Sequence, residues 1–221
     1  MKSIVCTLLL CLALAPASAQ EAPKENHAEA NGAIWQQFNE QERAWLAQAE
    51  AFLNRLDTVK AGFIQRSPGG AVASGTFWLA RPGRLRFEYA EPVADFIVAD
   101  GTFLYYWDAE LETRSSQPIE DSLANFLLRE QVRLHGAVKV EDVWRHDGNI
   151  AIKMVQKDDP GAGSLTLVFQ QEPFKLTQWA VVDGQGRLTE VRLIEPRYGV
   201  DLSKDLFYFE DPRDSEYRDR R

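Results

Sequence analysis

The stretch from Gly75 to Pro92, GTFWLARPGRLRFEYAEP, narrows the possible folds of this chain more than any other. It reads as two β-strands joined at Pro82-Gly83, because proline fixes φ and glycine accepts positive φ, as a tight turn requires. On the return strand Leu85, Phe87 and Tyr89 alternate with Arg84, Arg86 and Glu88, so one face is apolar and the other charged. On the first strand Phe77 and Leu79 share parity with Arg81. A cation at the end of an apolar strand face needs a partner, since an unpaired charge is costly to remove from water. If Arg81 is to face the same side as Leu85, the loop holds an odd number of residues, Pro82 to Arg84. A two-residue loop instead pairs Arg81 with Arg84 and turns Leu85 away. Two strands lining one cavity favour the odd loop. A second hairpin, Phe96 to Trp107, turns at Asp100-Gly101.

The chain on either side of this block continues the pattern. Val59, Ala61, Phe63 and Gln65 alternate, and Ser67 to Gly70 form a turn. Further strands are expected at Thr102–Asp108, Glu112–Ser116, Val138–Trp144, Ile150–Gln156, Leu165–Phe169, Leu176–Val182 and Leu188–Ile194, with a last short one at Phe207–Phe209. Short strands separated by Gly, Pro and Asp turns point to an antiparallel sheet or barrel of about eleven strands. Two helical segments accompany them. Ile34 to Leu56 carries Trp45, Ala49, Phe52, Leu53 and Leu56 at spacings of three and four, which makes one apolar stripe. It either packs on a core or plugs the mouth of a barrel, and the stripe fits both. Leu123 to Arg129, capped by Asp121 or Ser122, presents Leu123, Phe126 and Leu127 and is too apolar to lie free in water. Asp201 to Asp205 fits one helical turn.

The ends read differently. Lys2, the apolar run Ile4 to Leu14 and the small residues Ala17-Ser18-Ala19 make residues 1–19 a secretory signal, with the mature chain starting at Gln20. Residues 20–32 are polar and read as a disordered linker. Residues 33–213 form the folded domain, and 214–221 are a charged tail. Both cysteines, Cys6 and Cys11, fall in the signal, so the domain is expected to hold itself together without a disulfide. The net charge is −8 for the whole chain. That balance disfavours nucleic acid as a partner.

No sequence motif for catalysis stands out. His27, His135 and His146 have no metal-site spacing, and there is no Gly-rich phosphate loop, G-x-S-x-G elbow or H-E-x-x-H run. The paired acids Glu141-Asp142 and Asp158-Asp159 border turns or solvent-facing positions. No enzyme activity, metal or cofactor is expected. The positive signal is aromatic: the chain holds 12 Phe, 6 Tyr and 6 Trp, many of them on strands between Phe63 and Trp107. With apolar helices at two candidate lid positions, they suit a half-open barrel that can take up an apolar ligand.

The F-x-Q strand at Phe63 to Gln65, the G-x-F-W-x-x-R-P strand and turn from Gly75 to Pro82, the aromatic return strand and the V-x-D-G hairpin at Val98 to Gly101 resemble the LolA family, the periplasmic carriers of outer-membrane lipoproteins. The specific match runs from Val59 to Asp108, and Phe207 to Pro212 fits the family's F-x-F-x-x-P. The resemblance implies an incomplete antiparallel β-barrel with α-helices forming a lid, and a monomer in the periplasm. It implies acyl chains bound by Phe77, Leu79, Leu85, Phe87, Tyr89, Val98 and Phe126. It implies a lid latch of Arg81 with Leu53 and Leu56. The implied partners are acylated outer-membrane lipoproteins, an inner-membrane lipoprotein-releasing ABC transporter and an outer-membrane lipoprotein receptor. On spacing alone Arg81 also fits a turn-flanking surface residue. The alternative function on the same fold is a periplasmic lipid-binding or lipoprotein-sensing module. Two departures stand out: a long extension ahead of the F-x-Q strand, and little chain after Pro212.

Overall fold

The period of two that begins near Val59 becomes a single antiparallel sheet in the computed structural model, which describes residues 35–122 and 125–214. The strands are β1 Thr58–Arg66, β2 Val72–Ala80, β3 Arg84–Tyr89, β4 Phe96–Asp100, β5 Phe103–Asp108, β6 Thr113–Pro118, β7 Val138–His146, β8 Asn149–Gln156, β9 Gly163–Gln170, β10 Lys175–Asp183 and β11 Leu188–Tyr198. They run in the order β6-β5-β4-β3-β2-β1-β11-β10-β9-β8-β7. β1 therefore joins two meanders by pairing with β11, and β6 and β7 are left as edges. The barrel is incomplete, as expected. The expected signal, residues 1–19, and linker, residues 20–32, lie outside the described residues, as do Leu123, Ala124 and the tail beyond Asp214.

The sheet is curled rather than flat. Two strands separate β2 from β10, which would hold them about 14 Å apart in a flat sheet. Yet the Phe77 and Trp179 rings on those strands lie 5.6 Å apart. Alternation supplies the reason: β1 buries Val59, Ala61, Phe63 and Gln65 and turns the residues between them outward. One face of the sheet thus closes around a common core, while the convex face is mostly wet.

The first hairpin has an odd loop, but not the expected one. Leu79 pairs with Leu85 and Phe77 with Phe87, so the loop is Arg81-Pro82-Gly83, and Arg81 belongs to the turn. Leu79 and Leu85 keep a common face, because shifting the register by two preserves parity.

Two α-helices and the turns beside them cover the concave face. Helix α1 spans Glu40–Asn54, shorter than the expected Ile34–Leu56. Asn39 and Glu42 form a reciprocal capping box that fixes the start. Trp35–Gln37 ahead of it is a separate 3-10 turn. Helix α2 is a single turn, Asn125–Leu128. The expected last strand at Phe207–Phe209 is not formed; a 3-10 turn, Lys204–Phe207, runs into extended chain there. No helix among the described residues is long and apolar enough to cross a membrane.

Candidate functional site

The concave face is built from alternate residues of neighbouring strands. Phe77 and Leu79 of β2 and Leu85, Phe87 and Tyr89 of β3 are all 5% exposed or less. Their rings interlock with Phe63 of β1 and Trp179 of β10: Phe63 lies 5.1 Å from Phe87 and 5.0 Å from Tyr89. Such edge-to-face contacts add about 0.5–1.5 kcal/mol each beyond area burial. Leu46, Ala49 and Leu53 of α1, all 0% exposed, fall in the same cluster. Leu46 was absent from the expected stripe, although its spacing of three to Ala49 and seven to Leu53 is the helical period.

The five expected β2–β3 residues and Phe126 of α2 therefore come together in one core. Val98 does not. The β3–β4 register sets Phe87 opposite Ile97, Leu85 opposite Ala99 and Arg86 opposite Val98. Ile97 and Ala99 extend the concave face, while Val98 points to the convex side and packs with Phe96 and Trp107. The placement of Val98 on the concave face is corrected, for the parity reason that fixes the others.

A void also lies to one side of the expected place. A cavity of about 190 Å³ opens where α2 meets β7, β8 and β9, lined by Phe126, Val138, Met154 and Leu165, with Glu120, Arg129 and Asp158 adding polar groups. Of the expected ligand-facing residues, Phe126 alone lines it. Phe77, Leu79, Leu85, Phe87 and Tyr89 lie buried in the aromatic cluster instead, and Val98 is on the convex side.

Arg81 sits at the rim and ties the covering helices to the sheet. Its guanidinium donates to the backbone carbonyls of Leu53 and Leu56 (3.3 Å for Leu56) at the end of α1. It also donates to Arg129 (2.9 Å from Nε) and Glu130 (3.1 Å), just beyond α2. The unpaired carbonyls of a helix C-terminus carry partial negative charge, so a cation there is favourable. Five N–H groups in a fixed fork suit several acceptors at once, as the ammonium of lysine does not. Burial pushes the guanidinium below its ordinary value, and Asp57 opposes that. Leu53 and Leu56 thus serve through their carbonyls while their side chains, 0% and 6% exposed, fill the core. A second tie is the Gly83 N–H, which donates to the Leu128 carbonyl at 2.9 Å. Gly83 has a φ of +81°, and a Cβ there would meet the Gly101 Cα at 2.9 Å. Only glycine fits where the two hairpin turns touch.

The opposite end of β3 is pinned by buried polar groups. The Tyr89 hydroxyl donates to Gln65 (2.8 Å), and Gln65 donates to Ser67 (3.1 Å). Tyr106 donates to the Asp95 carboxylate at 2.7 Å, and the Ala109 N–H donates to its other oxygen at 2.9 Å. Burial, then the neighbouring Asp95, pushes the Tyr89 phenol well above its ordinary value. Asp95 is also raised, chiefly by burial. Gln65 enters the sequence reading only as part of the F-x-Q pattern; Tyr89, its partner across 24 residues of chain, is supplied by the fold. Among the described residues no group of three or more His, Cys, Asp or Glu side chains could hold a metal ion.

A family model described as "Outer membrane lipoprotein carrier protein LolA" matches residues 54–210. A Methylococcus capsulatus protein named outer-membrane lipoprotein carrier protein is 28% identical over 171 residues, covering 74% of this chain and 82% of its own length. A Legionella pneumophila protein of the same name is 27% identical over 173 residues, covering 73% and 83%. Among solved structures, a LolA superfamily protein from Nitrosomonas europaea superposes with a TM-score of 0.43 at 12% identity, over 76% of this chain and 97% of that one. Since the family match takes in every strand of the curled sheet and the Arg81 turn that holds its covering helices, this chain belongs to the LolA family.

Proposed function

We propose that this chain is a periplasmic carrier. It buries the acyl chains of outer-membrane lipoproteins against its concave face. It takes them from an inner-membrane ABC transporter and passes them to an outer-membrane receptor. The observation that carries the reading is Arg81, one guanidinium whose hydrogen bonds tie the ends of two helical segments to the sheet. The carrier names of the relatives support the same reading. So does the expected export signal at residues 1–19.

The energetics suit a reversible cover. Each buried CH₂ contributes ~0.8 kcal/mol, so a few acyl chains bind tightly enough to displace α1 and α2. Release then needs a competing term, and the Arg81 contacts supply one: every bond regained on closure favours expulsion of the ligand. The aromatic face is buried as it stands. Acyl chains then reach it by moving the lid, and the cavity beside Phe126 adjoins α2.

Mass spectrometry of material co-purified with the protein from the periplasm tests the reading. Acylated lipoproteins in near-equal amount to the carrier are expected. Free phospholipid in their place supports the lipid-binding alternative, and an absence of acylated species from wild type and Arg81→Leu alike overturns both.

A further inference from the structure

Arg81 holds two pieces of chain that are distant in sequence, the end of α1 and the segment after α2. They are also joined to each other. The side-chain amide of Asn54, the last residue of α1, donates to the Val132 carbonyl and accepts from the Val132 N–H, both at 2.9 Å. One helical turn earlier, the Glu50 carboxylate accepts from the Leu134 N–H at 2.9 Å. The spacings match: i and i+4 on one helix face meet i and i+2 on an extended segment. Val132 and Leu134 are both 0% exposed, so this segment is anchored in the core as firmly as α1 is. Gln37, ahead of the helix, donates to the Val140 carbonyl at 3.3 Å and continues the seam to β7.

We infer that Asn54 and Glu50 are positioning residues that clip α1 to the segment 129–135, so that both leave the concave face as one body when Arg81 lets go. Without the clip, opening the face takes two separate events, each against its own share of the Arg81 bonds. With it, displacement of either part pulls the other, and the four carbonyls held by Arg81 are lost together. The purpose of the clip rests on the carrier reading; its geometry does not.

Hydrogen exchange on the full chain, followed by NMR, tests this. In the wild type the amides of Val132 and Leu134 and those of the last turn of α1 should share one opening free energy, and Arg81→Leu should accelerate all of them by the same factor. Asn54→Ala should then accelerate the Val132 amide roughly 2- to 10-fold while the α1 amides keep their rates. Glu50→Ala should do the same at Leu134. Glu50→Gln keeps an acceptor oxygen and should stay near wild type, which a loss of mere bulk or charge would not explain. If Arg81→Leu accelerates α1 alone, or if Asn54→Ala accelerates every amide equally, the clip is refuted. A fluorescent triacylated lipopeptide separates the two ideas: no binding with coupled amides counts against the carrier reading, and binding with uncoupled amides counts against the clip.

Discussion

Arg81 works through number and geometry rather than charge alone. Replacing it by leucine removes its charge-assisted bonds to the Leu53, Leu56, Arg129 and Glu130 carbonyls and leaves the aromatic face intact. Losing such a contact costs ~1.5–3 kcal/mol, enough to shift the open–closed ratio roughly 10- to 150-fold. Arg81→Leu should load lipoprotein as well as wild type and release it more slowly, with Arg81→Lys between them. A two-step transfer assay with donor and acceptor membranes resolves loading from release; normal release in Arg81→Leu reduces the residue to a structural role. Asp95 makes a second residue-scale prediction. Its carboxyl is raised by burial in the fold, so the protonated form is favoured there. The stability it contributes is fully present below the ordinary carboxylate value and is lost as pH rises through its raised native value. Across that window wild type should lose stability relative to Asp95→Asn, as read by urea titrations at a series of pH values. A gain in its place means that the Tyr106 and Ala109 bonds outweigh burial.

At the scale of elements, small signals decided boundaries. The run Asn39-Glu40-Gln41-Glu42 holds a capping box in plain sequence, and it cuts α1 away from the Trp35–Gln37 turn. The apolar stripe begins only at Trp45, beyond that break, and so does not mark it. Four consecutive apolar residues, Phe96-Ile-Val-Ala99, mark a strand buried on both faces, which is where Val98 belongs. Gly75 of β2 shows how tightly adjacent strands pack. A Cβ there would lie 2.0 Å from the Glu88 carbonyl oxygen and 2.8 Å from the Phe63 ring. Neither backbone nor ring can retreat without breaking the β2–β3 pairing of Gly75 with Tyr89. Gly75→Ala should cost about 3 kcal/mol or more and lower Tm by roughly 6–12 °C, measured by calorimetry. An unchanged Tm means that the strands can separate locally at no cost.

For the molecule as a whole, the chain's last described segment acts as a strap on the convex side. Phe209 stacks on Tyr105 (5.2 Å) and lies 5.5 Å from Phe96, with the Arg114 guanidinium over its ring. Arg213 lies over Trp107 while pairing with Asp211, and holds that carboxyl down at about 2. Arg86 reaches the Leu206 carbonyl at 3.4 Å. The strap covers Phe96, Val98 and Trp107, an apolar patch that a half-barrel would otherwise expose. Phe209→Ala should destabilise the fold by about 1–3 kcal/mol and raise dye binding, while leaving lipopeptide loading on the concave side unchanged. Urea titration and a loading assay on the same variant check both halves, and a loading defect would mean that the two faces are coupled.

The sequence by itself determined the strand run, its antiparallel sense, the shared face of Phe77, Leu79, Leu85 and Phe87, and the family, because these depend on alternation and turn chemistry within short stretches of chain. It also singled out Arg81, since a cation on an apolar face demands a partner. It did not reveal what the partner was. The acceptors are backbone carbonyls of Leu53, Leu56, Arg129 and Glu130, and every residue carries such a group, so no pattern of side chains marks them. The clip of Asn54 and Glu50 onto Val132 and Leu134 escaped for the same reason. The convex place of Val98 and the burial of the aromatic face were decided by register and by the curl of the sheet. Those are settled only when strands distant in sequence meet, and bring Phe77 onto Trp179.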